Sequence, residues 1–259
     1  MDPKSSLSNL ERQEHLLRFV EQRRRATVAE ISQHFDISPA TARRDLEALA
    51  GRGEIQRFHG GAKAVSQAPP ELPVLQRQAD QAQAKKRIAQ AAAALIDDGE
   101  TIFLSSGTTV LEVARCLRDR RNLTVITNSL LAINTLADNP NITVVGLGGV
   151  LRQTEMSMIG HITEQSLAEV HAHKIIMGIR AMDIERGLTN DYLPETMTDR
   201  AILARGGEVV IVADHTKCGR ISTAFVAPIT AMHRLITDTK APPDFVEALR
   251  AKGIQVTVV

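Results

Sequence analysis

The sequence has little cysteine and few aromatic residues. Its 259 residues include two cysteines, Cys116 and Cys218, six phenylalanines, one tyrosine and no tryptophan. The two cysteines are far apart and match no ligand spacing, so we expect neither a disulfide framework nor a zinc site, and we predict no metal. Any hydrophobic core must therefore be built mainly from aliphatic side chains.

The chain also lacks a long apolar run and a large net charge. No stretch approaches the ~20 apolar residues that span a bilayer, and residues 1–17 contain no apolar signal core. We therefore expect a cytoplasmic protein that does not interact with membranes. Lys and Arg total 31 and Asp and Glu total 30. This balance argues against a wholly basic nucleic-acid binder, although it does not show how the charge is distributed.

The composition changes near residue 65. The run SQAPPELP at 66–73 contains three prolines and is typical of an extended connector. Residues 1–65 carry 11 Lys and Arg against 9 Asp and Glu, with arginines grouped at 23–25 and 43–44. Since a domain typically has roughly 100–200 residues, we predict one or two domains. The composition favours two: residues 1–65 and residues 81–259, joined by a linker at 66–80.

The first of these domains has the pattern of a winged helix-turn-helix. Apolar spacing predicts a helix over 9–22 and a short helix after the N-cap Thr27. A third helix is predicted to begin at Ser38-Pro39 and to stop at Gly51. Residues 54–62 alternate and end in glycines, which predicts a β-hairpin wing. In this motif the N-terminal part of the last helix enters the DNA major groove.

The residue types at these positions suit DNA. Small residues permit close approach, arginines pair with guanine edges or phosphates, and hydroxyl groups bind phosphate oxygens. A trihelical bundle with arginines on its surface is the alternative interpretation. The residues predicted to contact double-stranded operator DNA are Thr27, Ser38, Pro39, Ala40, Thr41, Arg43, Arg44, Arg57 and His59.

The run ISPATARRDLEAL, followed by GEIQRFHGGA, resembles the winged helix-turn-helix of the DeoR/GlpR family of bacterial transcriptional regulators. The shared features are Ser, Thr, an arginine pair, Asp45 and Leu46 on the third helix, and His-Gly-Gly-Ala at the wing. The resemblance implies sequence-specific DNA binding. Asp45 is expected to orient the neighbouring arginines or to cap the fold. Ala42 departs from the family, which more often has Ile there, and should weaken the packing slightly.

From residue 81 onward helices and strands alternate. Short apolar strands are predicted at 101–104, 123–127 and 142–147, with helices between them, and the alternation continues to residue 258. This pattern predicts an α/β domain with a doubly wound, mainly parallel sheet that is covered on both faces. Ligands of such sheets bind beyond the carboxyl ends of the strands.

Polar residues follow several of these strands. The run SSGTT at 105–109 opens a helix, where free N–H groups and the helix dipole suit a phosphate; an ordinary helix cap is the alternative. Glycines, an arginine, a lysine and carboxylates follow the later strands and suit the hydroxyls of a polyol phosphate. The residues at strand ends that are predicted to form the effector site are Ser105, Ser106, Gly107, Thr108, Thr109, Asn128, Gly148, Gly149, Arg152, Asp183 and Lys217.

The segments TIFLSSGTTV, LTVITNSL, VGLGGVLR and ADHTK, together with a glutamate at 195, resemble the sensor domain of the same family, which is similar in fold to ribose-5-phosphate isomerase. The resemblance adds Glu195 to the predicted effector site. The resemblance implies that a phosphorylated sugar or sugar derivative binds the domain and alters operator affinity, and we expect no cofactor. Family members often have Asp at the position of Ser105 and Lys near Asp199. These two departures leave the identity of the effector open.

These features together predict a regulator of carbohydrate-metabolism genes that acts as a repressor. Two half-sites one helical turn apart require at least two copies of the reading domain, so we expect a homodimer or homotetramer. An activator is one alternative. Another is a sugar-phosphate isomerase-like enzyme with a DNA-binding appendage, for which Asp183, Glu195 and Asp214 are candidate general bases. The DNA-binding half is hard to explain for an enzyme, so we predict no catalysis.

Overall fold

The computed structural model describes residues 8–259. The first seven residues of the predicted DNA-binding domain, which include part of the segment without an apolar signal core, lie outside the described residues. Contacts divide the chain into an N-terminal unit that ends at Ser66 and a C-terminal unit over Gln67–Val259.

The elements of the N-terminal unit are short and follow one another closely. In chain order they are α1 (Asn9–Arg23), β1 (Arg25–Thr27), α2 (Val28–Phe35), α3 (Pro39–Gly51), β2 (Ile55–Phe58) and β3 (Gly61–Ala64). A two-residue strand, β4 (Ser66–Gln67), lies at the boundary between the units.

Local signals in the sequence explain the helix-turn-helix. Thr27 forms a reciprocal capping box with Glu30 at the start of α2. Ser38 caps α3, and Pro39 takes the first helical position, where its missing N–H costs nothing. Between the two helices Asp36 adopts the left-handed conformation with a φ of 52°. The predicted second and third helices are therefore confirmed with nearly the expected bounds.

The wing is an antiparallel hairpin of β2 and β3, which closes at the Phe58–Gly61 pair. The other edge of β3 pairs with β1, a strand that we did not predict. A side chain at Gly61 would place its Cβ 2.3 Å from the carbonyl oxygen of Ala26 on β1. Only glycine therefore lets the two strands approach, which gives the second glycine of the His-Gly-Gly-Ala run a packing role.

The C-terminal unit alternates strands and helices as expected. Its helices are α4 (Ala82–Ala93), α5 (Thr108–Cys116), α6 (Leu130–Leu136), α7 (His161–Ala168), α8 (Leu193–Leu203) and α9 (Pro243–Ala251). Its strands after β4 are β5 (Thr101–Leu104), β6 (Leu123–Thr127), β7 (Ile142–Gly146), β8 (Val150–Arg152), β9 (Ser157–Ile159), β10 (Lys174–Met177), β11 (Ala181–Asp183), β12 (Gly187–Asn190), β13 (Glu208–Val212), β14 (Arg220–Ile221), β15 (Ala224–Ala227), β16 (Arg234–Thr237) and β17 (Gln255–Val258). Within residues 8–259, none of the helices has both the length and the apolar character needed to cross a bilayer.

A seven-stranded sheet organises this unit in the order β17-β16-β13-β10-β5-β6-β7. Its strand pairs are parallel, as for β5 with β6 and with β10. Side chains alternate between the two faces: Ile102 and Leu104 pack with α4, α5 and α6, whereas Phe103 packs with α7, α8 and α9. The predicted doubly wound parallel sheet, covered on both faces, is confirmed. The strand order reverses between β5 and β10.

Two smaller antiparallel sheets were missed. Strands β11, β12 and β15 form a three-stranded sheet, and β8 pairs with β9 in a hairpin. Their strands are three or four residues long, too short for an alternation to be read from sequence. They extend from the carboxyl side of the main sheet, where loops had been expected.

The proline-rich segment does not form a free connector. We predicted a linker at 66–80, but residues from Gln67 onward belong to the C-terminal unit. Val74 is fully buried, and its backbone N–H donates to the carbonyl oxygen of Thr154 at 2.7 Å. Glu71 forms ion pairs with Arg77 and Arg180. The prolines prevent helix and strand formation, but the side chains between them still pack.

Candidate DNA-binding face and effector site

The start of α3 exposes the arginine pair. Arg43 and Arg44 are exposed, as is Ala40, while Thr41 is half-buried. Ion pairs within the N-terminal unit use other arginines: Arg12, Arg52 and Arg57. The guanidinium groups of Arg43 and Arg44 are thus accessible to DNA bases or phosphates.

Asp45 lies on the opposite, inner face of α3. Its carboxylate accepts hydrogen bonds from Arg12 Nε at 2.7 Å and from Gln13 Nε2 at 3.1 Å, both on α1. It therefore joins α1 to α3. We had expected it either to orient the neighbouring arginines or to cap the fold, and its hydrogen bonds do not go to the neighbouring arginines. Because this pair fixes the helix that carries Arg43 and Arg44, Asp45 positions the predicted reading face indirectly.

Three of the predicted DNA contacts have partners inside the unit. Thr27 Oγ1 accepts from the Glu30 N–H and Ser38 Oγ accepts from the Thr41 N–H, so both hydroxyls act as helix caps. Arg57 on the wing donates to the carbonyl oxygen of Arg43 at 3.3 Å. These residues hold α3 and the wing in place. The exposed polar side chains of the prediction are Ser38, Arg43, Arg44 and, at the hairpin tip, His59, whereas Thr41 is half-buried.

The C-terminal unit has a cavity of about 680 Å³ at the carboxyl ends of β5, β10 and β13. This is the point where the strand order reverses, which is the usual ligand position in open α/β sheets. Seven predicted effector residues line it, namely Ser105, Ser106, Gly107, Thr108, Thr109, Glu195 and Lys217.

The loop after β5 forms one wall of the cavity. Ser105 Oγ accepts from the Gly178 N–H at 3.2 Å and donates to the Ser106 carbonyl oxygen at 3.1 Å, which fixes the loop against the end of β10. Helix α5 follows, with Gly107 at its N-cap and a φ of 113°. The first N–H groups of a helix have no partner within it and carry partial positive charge. This wall therefore suits an anion.

Cationic side chains line a second wall. Lys217, after β13, and Arg180, after β10, both contribute to it, as does Arg77 from the proline-rich segment. Burial lowers the pKa of Lys217, and the nearby charge of Arg180 lowers it further. Arg180 lies 3.6 Å from Glu71 and 3.4 Å from Asp191, whereas the ion pairs of residues 8–259 do not include Lys217. Lys217 is therefore available to a ligand anion.

Carboxylates on α8 line a third wall. Glu195 pairs with Arg152 and accepts from Ser157 Oγ at 3.1 Å. Burial raises its pKa, although the charge of Arg152 opposes this. One helical turn later, Asp199 accepts from Asn190 Nδ2 at 2.8 Å. Burial raises the pKa of Asp199 well above its usual range, and the neighbouring Glu195 raises it further.

Comparison with known families identifies both units. Residues 12–68 match the DeoR-like helix-turn-helix domain, and residues 80–239 match the DeoR C terminal sensor domain. The chain belongs to the DeoR family. It is a DNA-binding transcriptional regulator of the DeoR type, as the two resemblances in its sequence implied.

Relatives with known names match the DeoR-family chain over almost its whole length. The transcriptional repressor AccR of Agrobacterium fabrum is 34% identical, covering 90% of each chain. The glycerol-3-phosphate regulon repressor of Escherichia coli is 32% identical, covering 96% of this chain and 99% of its own. The HTH-type regulator YulB of Bacillus subtilis is 32% identical over 96% of both.

Among solved structures, ribose-5-phosphate isomerase A of Methanocaldococcus jannaschii matches with a TM-score of 0.40 and 18% identity. The match covers 53% of the DeoR-family chain and 55% of the isomerase. A likeness at this level carries no argument about activity.

The structure places the other five predicted effector residues outside the cavity lining. Asp183 accepts from the N–H groups of Glu185 and Arg186 and closes the turn between β11 and β12. Arg152 pairs with the cavity residue Glu195 and lines an adjoining pocket that shares Glu71 and Glu155 with the cavity. Its guanidinium stacks on Tyr192, 4.5 Å from the ring centre.

The remaining three support the hairpin of β8 and β9. Asn128 Nδ2 donates to the Met158 carbonyl oxygen at 3.0 Å, and the Gly148 carbonyl oxygen accepts from Thr163 Oγ1 at 2.7 Å. A Cβ at Gly149 would lie 2.1 Å from Thr163 Oγ1, so that glycine serves close packing. These polar and glycine residues at strand ends therefore have structural contacts of their own, and their contact with an effector stays a prediction.

Several cavity residues of the DeoR-type domain were missed. Arg77, Lys85 and Glu155 line the cavity, and Glu155 pairs with Arg77. Burial raises the pKa of Glu155 to about 7, and Arg77 partly opposes the rise. Lys85 had a recognisable signal, because it interrupts the buried stripe of Ala84 and Ile88 on α4. Arg77 and Glu155 had none, since only the tertiary fold brings them together.

Proposed function

We propose that this DeoR-type repressor controls a carbohydrate-metabolism operon and that a phosphorylated sugar or sugar derivative, bound in the cavity of the C-terminal unit, changes its operator affinity. The observation that carries the proposal is the lining of this cavity. It combines the N-terminus of α5, the unpaired cation of Lys217 and the carboxylates of α8.

Each wall suits a part of such a ligand. The N–H groups at the start of α5 and the ammonium group of Lys217 are donors for a phosphate. The carboxylate of Glu195 and the amide of Asn190 are partners for sugar hydroxyls. A cavity of about 680 Å³ falls in the range of roughly 300–1,000 Å³ that small-molecule sites occupy.

The named relatives agree with this ligand class. Two of them are repressors, and one of these is named for the glycerol-3-phosphate regulon. We carry over to this chain repression and a phosphorylated polyol as the kind of effector. Of the candidate bases of the enzyme hypothesis, Glu195 and Asp214 line the cavity and Asp183 does not, but the named relatives are regulators. We therefore propose that the cavity binds without catalysing a reaction.

The segment that joins the two units supplies a route for the signal. Residues 68–72, 77 and 79–81 lie along the cavity, and the segment follows the wing strand β3 and the short strand β4 in the chain. A ligand that changes the ion pairs of Glu71 and Arg77 would act on this segment. The coupling free energy needed is modest, typically about 1–3 kcal/mol.

Operator binding by this chain requires association. Two half-sites one helical turn apart need two copies of α3 and the wing, so we propose a homodimer or a homotetramer in solution.

The test is a gel-shift titration of the full chain on its own upstream DNA, repeated with a panel of sugar phosphates and the corresponding free sugars. We expect a shift that at least one phosphorylated sugar weakens and its free sugar does not. Lys217→Ala should keep the shift and lose the response, whereas Lys252→Ala, at the exposed end of α9, should keep both. No shift at low salt, or a shift unaffected by the whole panel, would contradict the proposal.

A further inference from the structure

Asp199 differs from the other charged groups of the cavity. Among the cavity carboxylates, Glu71 and Glu155 pair with Arg77, and Glu195 pairs with Arg152. The ion pairs found within residues 8–259 do not include Asp199. Its carboxylate has one hydrogen bond, from Asn190 to Oδ2, and its residue is 7% exposed.

Asp214 shows that lack of an ion pair alone does not set Asp199 apart. Asp214 Oδ1 accepts from both the N–H and the hydroxyl of Thr216. Two cations also lie near it, because the charge of Asp214 acts to raise the pKa of Lys85 and of Lys217. Around Asp199, by contrast, the charges of Glu195 and Glu71 raise the pKa of its carboxyl group, and the charge of Arg152 lowers it. Two of these repel a second negative charge, and Arg152 is already bound to Glu195.

The cavity thus offers two kinds of charge that the protein itself leaves unmatched. Lys217 lies near Arg180 and Arg77; both arginines have carboxylate partners, whereas the ion pairs of residues 8–259 do not include Lys217. Glu195 and Asp199 are two carboxylates one helical turn apart, and within residues 8–259 Glu195 has an arginine partner whereas Asp199 has none. A ligand whose only charged group is a phosphate would pair with Lys217 and leave the carboxylate of Asp199 without a cation.

We propose that Asp199 is a specificity-determining residue that receives a protonated amino group of the effector, so that the ligand is the phosphate of an amino sugar. This inference rests on the proposed function, because it assigns the ligand class of the same cavity. A buried carboxylate without a cation is costly to keep charged. An ammonium group bound to Oδ1 supplies the missing charge, whereas a hydroxyl supplies only a hydrogen bond.

The test compares amino sugar phosphates with their hydroxyl parents on the full chain by titration calorimetry. Matched pairs cover three stereochemistries: the 6-phosphates of glucosamine and glucose, of galactosamine and galactose, and of mannosamine and mannose. In at least one pair we expect the amine to bind about tenfold or more tightly than its parent, as is common for a buried charge pair. The same amine should weaken the gel shift at lower concentration than its parent.

Asp199→Asn keeps the size and the polar atoms of the side chain and removes its charge. We expect it to bring the amine-to-parent affinity ratio close to one and to leave the affinity for the parent nearly unchanged. Glu247→Gln, on the exposed face of α9, is the matched control and should preserve the ratio. Thermal unfolding of each variant shows whether the fold is retained.

The outcomes separate this inference from the function on which it rests. If parents bind and release the operator but no amine is preferred, the inference is overturned and the proposed function stands. A preference that survives in Asp199→Asn overturns it as well. If no sugar phosphate of either kind binds or affects the operator complex, both fail. Should Asp199→Asn not fold, the absence of any preference for an amine in the natural protein still overturns the inference.

Discussion

The two units of this DeoR-family protein use charge in opposite ways. In the N-terminal unit Arg43 and Arg44 are exposed, and the ion pairs found among its residues from Ser8 onward do not include them. In the C-terminal unit the half-buried Arg152 and the buried Glu195 are bound to each other. One unit presents charge to a large external polyanion, and the other surrounds a small ligand with charge that is already partly matched. The near-zero net charge of the chain reflects this division.

The difference matters for how firmly each site is built. Exposed arginines on α3 need only a stable helix beneath them, which a compact core and the Arg12–Asp45 pair provide. The cavity depends on buried ion pairs between segments far apart in sequence, such as Arg77 with Glu155. Removing one member of such a pair leaves a buried charge uncompensated.

The largest expected effect is that of Arg152→Ala. It removes the partner of the buried Glu195 and should lower the free energy of unfolding of the C-terminal unit by about 3–5 kcal/mol. Arg118→Ala is the control, because Arg118 pairs with Asp138 in an exposed position and should cost about 1 kcal/mol or less. Denaturant unfolding measures both. Equal losses would show that burial does not distinguish the two pairs.

A similar loss of packing in the N-terminal unit should separate the two functions. Leu46→Ala truncates a fully buried side chain of α3 and should cost that unit about 2–5 kcal/mol. Because this unit has a core of its own, operator binding should be lost while ligand binding to the cavity persists. Gel shift and calorimetry on the same preparation check this. Concurrent loss of ligand binding would show that the units do not fold independently.

The same contrast explains what the sequence could predict. The N-terminal unit was predictable because its signals are contiguous: the Ser38-Pro39 cap, the arginine pair and the two glycines of the wing lie within one short stretch. The alternation of strands and helices likewise predicted the sheet and placed the loop after β5 on the ligand side. A missed strand such as β1 is three residues long and takes its identity from pairing with the wing.

The cavity was only half predictable because most of its charge network is non-local. Lys217 follows a strand end and was predicted by that rule, whereas Glu195 was predicted only through the family resemblance. Arg77 lies in a segment that its prolines suggested was a free linker, and its partner Glu155 is 78 positions away. Asp183 sits at a strand end, yet it accepts two N–H groups of its own turn. Position at a strand end does not distinguish a ligand contact from a turn cap.

The free energy of unfolding of the C-terminal unit should depend on pH through the buried Glu155. Burial raises the pKa of Glu155 from its ordinary 4.5 to about 7, so the folded state holds this proton over a range in which the unfolded chain has released it. Stability from this group is therefore full below about pH 4.5 and falls as the pH rises to about 7, by at most about 3 kcal/mol.

The measurement is the difference in free energy of unfolding between the natural protein and Glu155→Gln as a function of pH. The variant cannot titrate at this position, so the difference should change between pH 4.5 and 7 and be level above it. Glu247→Gln, an exposed change on α9, should give a difference that is constant with pH. A flat profile for Glu155→Gln would mean that Arg77 keeps Glu155 ionised throughout.

The smallest expected effect tests the exposed charge of the N-terminal unit. Arg43→Ala should weaken operator binding by about 1–3 kcal/mol if its guanidinium contacts a base edge, and it should leave the stability of the unit nearly unchanged because the side chain is exposed. The affinity for the operator is compared with the affinity for random DNA of the same length. Weaker binding to the operator alone indicates that Arg43 contacts a base, while equally weakened binding to both DNAs indicates a phosphate contact, whose contribution should fall as salt is raised.

Arg57→Ala is the matched comparison, because Arg57 holds the wing against α3 through its hydrogen bond to the Arg43 carbonyl oxygen. This variant should weaken binding to the operator and to random DNA equally, because the wing moves. If Arg57→Ala weakened binding to the operator alone, Arg57 and not Arg43 would be the residue that contacts a base.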